Sequence, residues 1–322
     1  MRRQYLASIF AMFCCISLAT GQELVAELCT ARLISPRIAA TAGYDGLDAV
    51  YIFGGHAASN APMSGVQKYI ISEDRLELVG NLYEANFGGV VSLDTKGDFF
   101  LHGGYYFGRE IVKFSPSDNN SITASGYLPE QTSFSPAVKY SPESDVVFIF
   151  SAKNAMNEIF MFYSEAQNAT KVGQLSLNLW SMGAVSDGRG TAYIFGNQVM
   201  ANSSIQYPVY AVNLNTLEVT PGPPNFPMLS STPSVVWDSR YAYILSGFST
   251  TTSYGMIRFD PETMENIFIP VINYPGPRLY EPSAVYVKES NRIYIFGGQT
   301  STPTYVYHDQ IWFIDLNPIQ KL

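Results

Sequence analysis

The chain of 322 residues carries three histidines, His56, His102 and His308, the first candidates for proton transfer or metal ligation. Zinc-type ligation needs histidines or cysteines at short, regular spacings, and none of the three has such a spacing or a neighbouring cysteine. His56 directly follows a Gly54-Gly55 pair, while His308 falls in the loop after Gly297-Gly298, so closure of a circular fold would bring the two near each other. His102 ends the run Phe100-Leu101-His102, where a packed core role is expected. No nucleophile elbow, phosphate loop or dinucleotide fingerprint occurs, so no catalytic residue, metal ligand or cofactor is assigned.

Recognition chemistry is better represented. Aromatic residues cluster in segments that read as loops: Tyr105, Tyr106 and Phe107, then Phe248 and Tyr254, then Tyr305 and Tyr307. Loop aromatics are a common means of holding a sugar or a protein partner. The ligand-binding set expected here is His56, Tyr105, Tyr106, Tyr305, Tyr307 and His308. Three Asn-x-Ser/Thr acceptors, at Asn119, Asn168 and Asn202, are expected to carry glycans if the chain is secreted.

The elements that must position these residues recur. An apolar run ending in two small residues appears six times, most legibly as Tyr51-Ile52-Phe53-Gly54-Gly55 and Tyr294-Ile295-Phe296-Gly297-Gly298. The first small residue falls at 54, 103, 151, 196, 246 and 297, so successive steps are 49, 48, 45, 50 and 51 residues. A period near fifty built of short strands reads as propeller blades. Each repeat contains a strand with small residues, a polar turn such as Asp45-Gly46, the apolar strand, a variable loop, a third strand and a fourth. Small residues in the first strand, among them Ala39-Ala40, Gly88-Gly89 and Pro282-Ser283, suit the crowded centre of a ring, where bulky side chains do not fit. Doublets at six strand ends are structural and not phosphate cradles.

The third strand and its turn are clearest as Met256-Ile257-Arg258-Phe259-Asp260-Pro261-Glu262-Thr263. Taken with the period and the Gly-Gly ends, the chain resembles a secreted Kelch-repeat protein over nearly all of residues 23–317. It departs from that pattern in the degenerate doublets of repeats three to five and in its scarce tryptophan. The resemblance implies an all-β, six-bladed Kelch-type β-propeller as one domain over residues 22–322. The segment Glu23 to Cys29 has no earlier strands of its own and the last repeat lacks a fourth strand, so this N-terminal strand is expected to close the ring. The resemblance also raises an enzymatic alternative, a sugar epimerase or mutarotase or an oxidase-like protein with its site at the central channel. A copper-radical site would need a tyrosine crosslinked to cysteine, and the lone Cys29 sits on the closing strand, away from the axis. Binding is therefore favoured over catalysis.

Bulk composition narrows the setting. Arg2 and Arg3, an apolar run from Tyr5 to Ala19 and small residues before Gln22 read as a secretory signal peptide over residues 1–21. That run is shorter than the roughly twenty residues a membrane-spanning helix needs. Its removal takes two arginines and no acid, moving the formal charge from -8 to -10. An acid-rich chain of this kind argues against nucleic acid as a partner. The expected partner is an extracellular protein or glycan, with no membrane span. Cys14 and Cys15 leave with the signal, which leaves Cys29 alone and excludes an internal disulfide. Alternation puts Cys29 on one strand face with Glu23, Val25 and Glu27, the more polar side. A monomer is expected, and a Cys29-linked dimer is the variant weighed against it.

Overall fold

A computed structural model describes residues 23–151, 158–175, 179–199, 205–206, 209–222, 233–245, 254–276, 279–300 and 304–319. The segment expected as a signal peptide, Asn202 and Phe248 lie outside these residues. The described chain is all β and helix-free, a propeller-like arrangement of small sheets. No helix among the described residues is long and apolar enough to cross a membrane.

The N-terminal strand is β1 (Leu24–Arg32). The first repeat follows as β2 (Thr41–Tyr44), β3 (Ala49–Phe53), β4 (Gly65–Ile70) and β5 (Arg75–Asn81). The second is β6 (Val90–Leu93), β7 (Phe99–His102), β8 (Glu110–Ser115) and β9 (Ser121–Tyr127). The third is β10 (Ala137–Lys139), β11 (Val146–Phe150), β12 (Glu158–Tyr163) and β13 (Asn168–Gln174). The fourth is β14 (Leu179–Ser186), β15 (Thr191–Val199), the short β16 (Ile205–Gln206), β17 (Val209–Asn213) and β18 (Val219–Pro221). The fifth is β19 (Val235–Trp237), β20 (Ala242–Ile244), β21 (Gly255–Asp260) and β22 (Glu265–Ile272). The sixth is β23 (Ser283–Val287), β24 (Arg292–Phe296), a ribbon of β25 (Gln299–Thr300) and β26 (Val306–Tyr307), and β27 (Gln310–Asp315).

Repeats one to four each form a separate antiparallel sheet, whereas repeats five and six share one eight-stranded sheet, ordered β19-β20-β21-β22-β1-β27-β24-β23. The six separate blades expected from the period are therefore four separate blade-like sheets and one larger sheet. The N-terminal strand causes the difference, because both of its edges are used. Ala26, Glu27 and Leu28 pair antiparallel with Ile314, Phe313 and Trp312 of β27, while Leu24 and Val25 pair in parallel with Val271 and Ile272 of β22.

The second strand of each repeat is apolar on both faces because each face feeds a different core. In β3, Ala49, Tyr51 and Phe53 pack toward the second repeat with Phe99 and Phe114, and Val50 and Ile52 pack toward the sixth with Tyr294 and Phe296. The rings of Tyr51 and Phe53 lie 5.2–5.7 Å from those of Phe99 and Phe114 in tilted and edge-on contacts. In β24 the same division places Ile293 and Ile295 toward the fifth repeat and Tyr294 and Phe296 toward the first. Six such clusters lie between neighbouring repeats, the last joining repeats six and one. Full burial of a side chain such as Ile52 is worth about 1.5–3 kcal/mol, which a strand with one wet face would gain at only half its positions.

Alternation along β1 places Leu24 and Ala26 in the cluster facing the fifth repeat and Cys29 in the one facing the first, so the Cys29 face, expected to be the more polar and reachable one, is covered at that residue. Leu28, beyond the Leu24–Val25 stretch that pairs with β22, is 43% exposed, whereas Cys29, packed with Tyr69 and Tyr294, is 5% exposed. The thiol lies 3.3 Å from the Tyr69 hydroxyl oxygen, and burial pushes it up to about 11. A thiol so enclosed and protonated is not presented for a disulfide with a second chain. Next to it, Asp74 fastens β1 to the first repeat. It accepts from the Thr30 amide (2.6 Å) and hydroxyl (2.5 Å), the Ala31 amide (3.3 Å) and the Tyr69 hydroxyl (3.0 Å). Burial alone would raise the Asp74 carboxyl, but these donors outweigh it and hold the group below its usual value.

Deleting residues 22–30 should therefore bare the edge of β27 and open two apolar clusters at once. The deleted protein should aggregate or melt well below the full chain in a thermal scan. An unchanged melting temperature would refute the closing role of β1.

Candidate functional site

The loops that carry the expected site begin at the glycine doublets, and the conformation there explains the doublet. Gly54 and Gly55 have φ of +60° and +96°, in the left-handed region. The Gly55 amide donates to the Asn86 carbonyl at 2.9 Å, and a Cβ on Gly54 would run into that same oxygen. The pattern repeats from Gly104 to Thr132 and from Gly298 to Arg37, each at 2.9 Å. A Cβ on Gly103 or Gly297 would approach those carbonyl oxygens to 2.5 Å. Each of these three doublets thus grips the connector that leads into the next repeat, and the grip from repeat six onto Arg37 crosses the chain closure.

Connector side chains complete the hold. The buried Asn86 amide donates to the Gly103 carbonyl at 2.9 Å, and its oxygen accepts from the Tyr106 and Phe107 amides at 3.1 and 3.5 Å. Arg37, 4% exposed, donates to the Gly54 carbonyl at 2.8 Å, and burial lowers its guanidinium to about 10. Asn86 therefore sets the course of the segment bearing Tyr105 and Tyr106.

Those two tyrosines, His56 and Tyr307 meet around Phe87, which the sequence reading did not single out. The Phe87 ring lies 4.7 Å from His56, 4.9 Å from Tyr105 in a nearly parallel stack, 5.9 Å from Tyr106 and 6.1 Å from Phe134. Tyr307 reaches His56 from the other side at 6.3 Å. Tyr105 and Tyr106 remain 47% and 45% exposed, so the group forms a platform with a wet upper surface. Asn86 and Phe87 occupy the same connector places as Arg37 and Ile38 in the first repeat, an offset readable from the small residues that follow them.

The remaining candidates behave differently. His308 and His56 lie beside consecutive residues of one connector, the Arg37 amide donating to the His308 carbonyl and the Ile38 amide to that of His56, each at 3.1 Å, but their rings have separate partners. The His308 ring lies 3.0 Å from the Thr300 hydroxyl and 3.1 Å from the Gln310 side-chain oxygen, and burial holds it below its ordinary value. Tyr305 is 74% exposed and makes no ring contact with a described residue. His56 is mostly buried, its Nδ1 3.1 Å from the Ala57 carbonyl. Asn119, with φ of 50°, and Asn168 are both exposed and lie in or beside the turns between third and fourth strands, at the far end of the sheets.

The axis carries little charge. A 250 Å³ channel is lined by the first strands and connectors of all six repeats, including Ala40, Gly89, Ala137, Gly183, Ser234 and Ser283. At its mouth Ala39 donates to the Glu281 carbonyl, Gly88 to that of Ala39 and Phe134 to that of Gly88, at 3.1, 2.9 and 2.6 Å. Glu281 is the one carboxylate in this lining, so no pair of acid and base converges there. Among the described residues, no three His, Cys, Asp or Glu side chains gather as a metal site.

No family model matches the chain, and no curated protein matches it. The Kelch resemblance accordingly rests on the repeat pattern itself.

His102 lies in the core, 1% exposed, its Nε2 2.8 Å from the Ser92 hydroxyl and its ring 4.9 Å from Phe162. Its Nδ1 has no partner, and burial lowers the imidazole to about 3 from 6.5. Between those values the unfolded chain takes up a proton that the folded one refuses, so this residue's stabilising neutrality is lost as pH falls below about 6.5. His102→Phe should remove that loss, raising stability relative to wild type by about 2 kcal/mol near pH 5 beyond any difference at pH 8. Urea melts at the two pH values check this, and an equal difference at both would contradict it.

Proposed function

We propose that this chain is a secreted, glycosylated six-bladed Kelch-type propeller that binds an extracellular protein or glycan on the face bearing the glycine doublets and connectors. In this reading the eight-stranded sheet is the fifth and sixth blades, β19 to β22 and β23-β24-β27-β1, joined by the short parallel pairing of β1 with β22. The six inter-repeat clusters and the doublet-to-connector bond repeated across the chain closure support that count.

The observation that carries the function is the half-exposed aromatic platform around Phe87, held on a rigid scaffold by Asn86. Tyrosines fixed in this way offer large contact area at low ordering cost. Asn119 and Asn168 lie at the opposite ends of the sheets, so glycans there leave the platform open. A channel lining whose one carboxylate among the described residues is Glu281 favours binding over the epimerase, mutarotase or oxidase-like alternative.

Secreted protein displayed as a multimer against an array of extracellular glycans and an array of purified ectodomains provides the test. Tyr105→Ala with Tyr106→Ala, and separately Tyr305→Ala with Tyr307→Ala, should each weaken a captured partner by about one to a few kcal/mol with melting unchanged. Binding unaffected by both pairs but abolished by substitutions around Asn119 and Asn168 would place recognition on the other face.

A further inference from the structure

The opposite face holds a second concavity that owes nothing to the aromatic platform. A cleft of 540 Å³ opens among the turns that join first and second strands in repeats three, four and five. Lys139, Glu143, Asp187, Arg189 and Trp237 line it. Its size falls within the range of small-ligand sites, which spans roughly 300–1,000 Å³. Trp237 supplies an apolar wall, backed by Tyr193 with ring centroids 6.5 Å apart and planes within 21°.

The charges are unequally committed. Asp187 spends one oxygen on its own turn, accepting from the Arg189 and Thr191 amides at 2.7 and 3.0 Å. The Arg189 guanidinium is exposed and forms no hydrogen bond or ion pair with a described residue. Lys139 is half-buried and gives one hydrogen bond, to the Pro142 carbonyl at 2.7 Å, which leaves ammonium donors unused. Burial holds that ammonium below its usual value against the pull of Asp145, Asp94 and Glu143, so its charge is under-solvated. An anion placed between the two cations would gain charge-assisted hydrogen bonds that neither now makes.

We propose that this cleft binds a carboxylate carried on a ring with an apolar face, the ring against Trp237 and the carboxylate between Lys139 and Arg189. Aromatic acids and uronic sugars share that chemistry. Glu143, exposed at the rim, opposes the anion and limits affinity.

Tryptophan emission gives a direct readout, with Trp237→Phe as the control that separates Trp237 from Trp180 and Trp312. Sodium benzoate and sodium glucuronate are titrated separately, with benzylamine and glucose as counterparts lacking the carboxylate. At least one acid should change emission saturably in wild type and not in Trp237→Phe, and whichever of the two binds more tightly identifies the ring. Arg189→Ala and Lys139→Met should each weaken it by about tenfold, with circular dichroism melts unchanged. Glu143→Gln should tighten it severalfold. Absence of saturable binding by both acids, preference for benzylamine, or indifference to Arg189→Ala and Lys139→Met in folded protein would overturn the proposal.

Discussion

The hydrogen bond from the second glycine of a doublet into the next connector's carbonyl is the constraint on which the described ring depends. It demands that the chain leave its second strand in the left-handed region and that two backbones come within contact distance, as at Gly54 and Asn86. Any β-carbon at Gly103 or Gly297 would meet a backbone oxygen 2.5 Å away, an atom that cannot swing aside. The connectors then fall into a common offset, and their following residues form the hydrogen-bonded series Glu281, Ala39, Gly88 and Phe134 around the channel mouth. Small residues line the axis because this geometry leaves no room for larger ones.

Closure is a separate problem, solved by β1. A ring of sheets left open would expose the edge of β27 and two apolar faces. The strand covers both, giving Leu24 and Ala26 to the cluster shared with the fifth repeat and Cys29 and Leu33 to the one shared with the first. Alternation makes that division workable, because residues on opposite faces of the strand serve the two clusters. Next along the strand, the Thr30 and Ala31 amides donate to Asp74. Closure therefore combines ladder pairing, apolar packing and one well-satisfied carboxylate.

The architecture was largely legible in the sequence because its cause is periodic. Doublets at near-fifty-residue steps mark strand ends, and two-faced apolar runs such as Ala49–Phe53 mark strands covered on both sides. What escaped was aperiodic. The parallel pairing of Leu24 and Val25 with β22, which merges two repeats into one sheet, follows from where a free strand end comes to lie and has no residue signature. The burial of Cys29 escaped as well, since the cover over its face comes from the first and sixth repeats and leaves no mark in the strand itself. At the candidate site Tyr105, Tyr106, His56 and Tyr307 were found by type and loop position. Phe87, their common contact, was hidden among connector residues whose role depends on a neighbouring repeat.

The proposed recognition chemistry lies where the repeat stops constraining side chains. Strand positions are committed to inter-repeat cores, and the axis is committed to small side chains, which leaves Glu281 as the sole carboxylate in the channel lining. The segments after the doublets are free to differ, and they do: the second repeat spends its loop on Tyr105 and Tyr106, the sixth on Tyr305, Tyr307 and His308. Because the doublet grips the connector at a fixed point, a variable loop starts from a rigid base, and Asn86 extends that rigidity two residues into the loop itself. The polar turns at the far ends of the sheets are tied across repeats by side chains instead, Thr95 to Asp145 and Tyr140 to Asn215. One face thus carries aromatics on loops that start from backbone grips and the Asn86 side chain, and the other is tied by side chains and lined by Lys139 and Arg189. A repeat whose backbone is this closely specified can hold two unlike surfaces without either disturbing the ring.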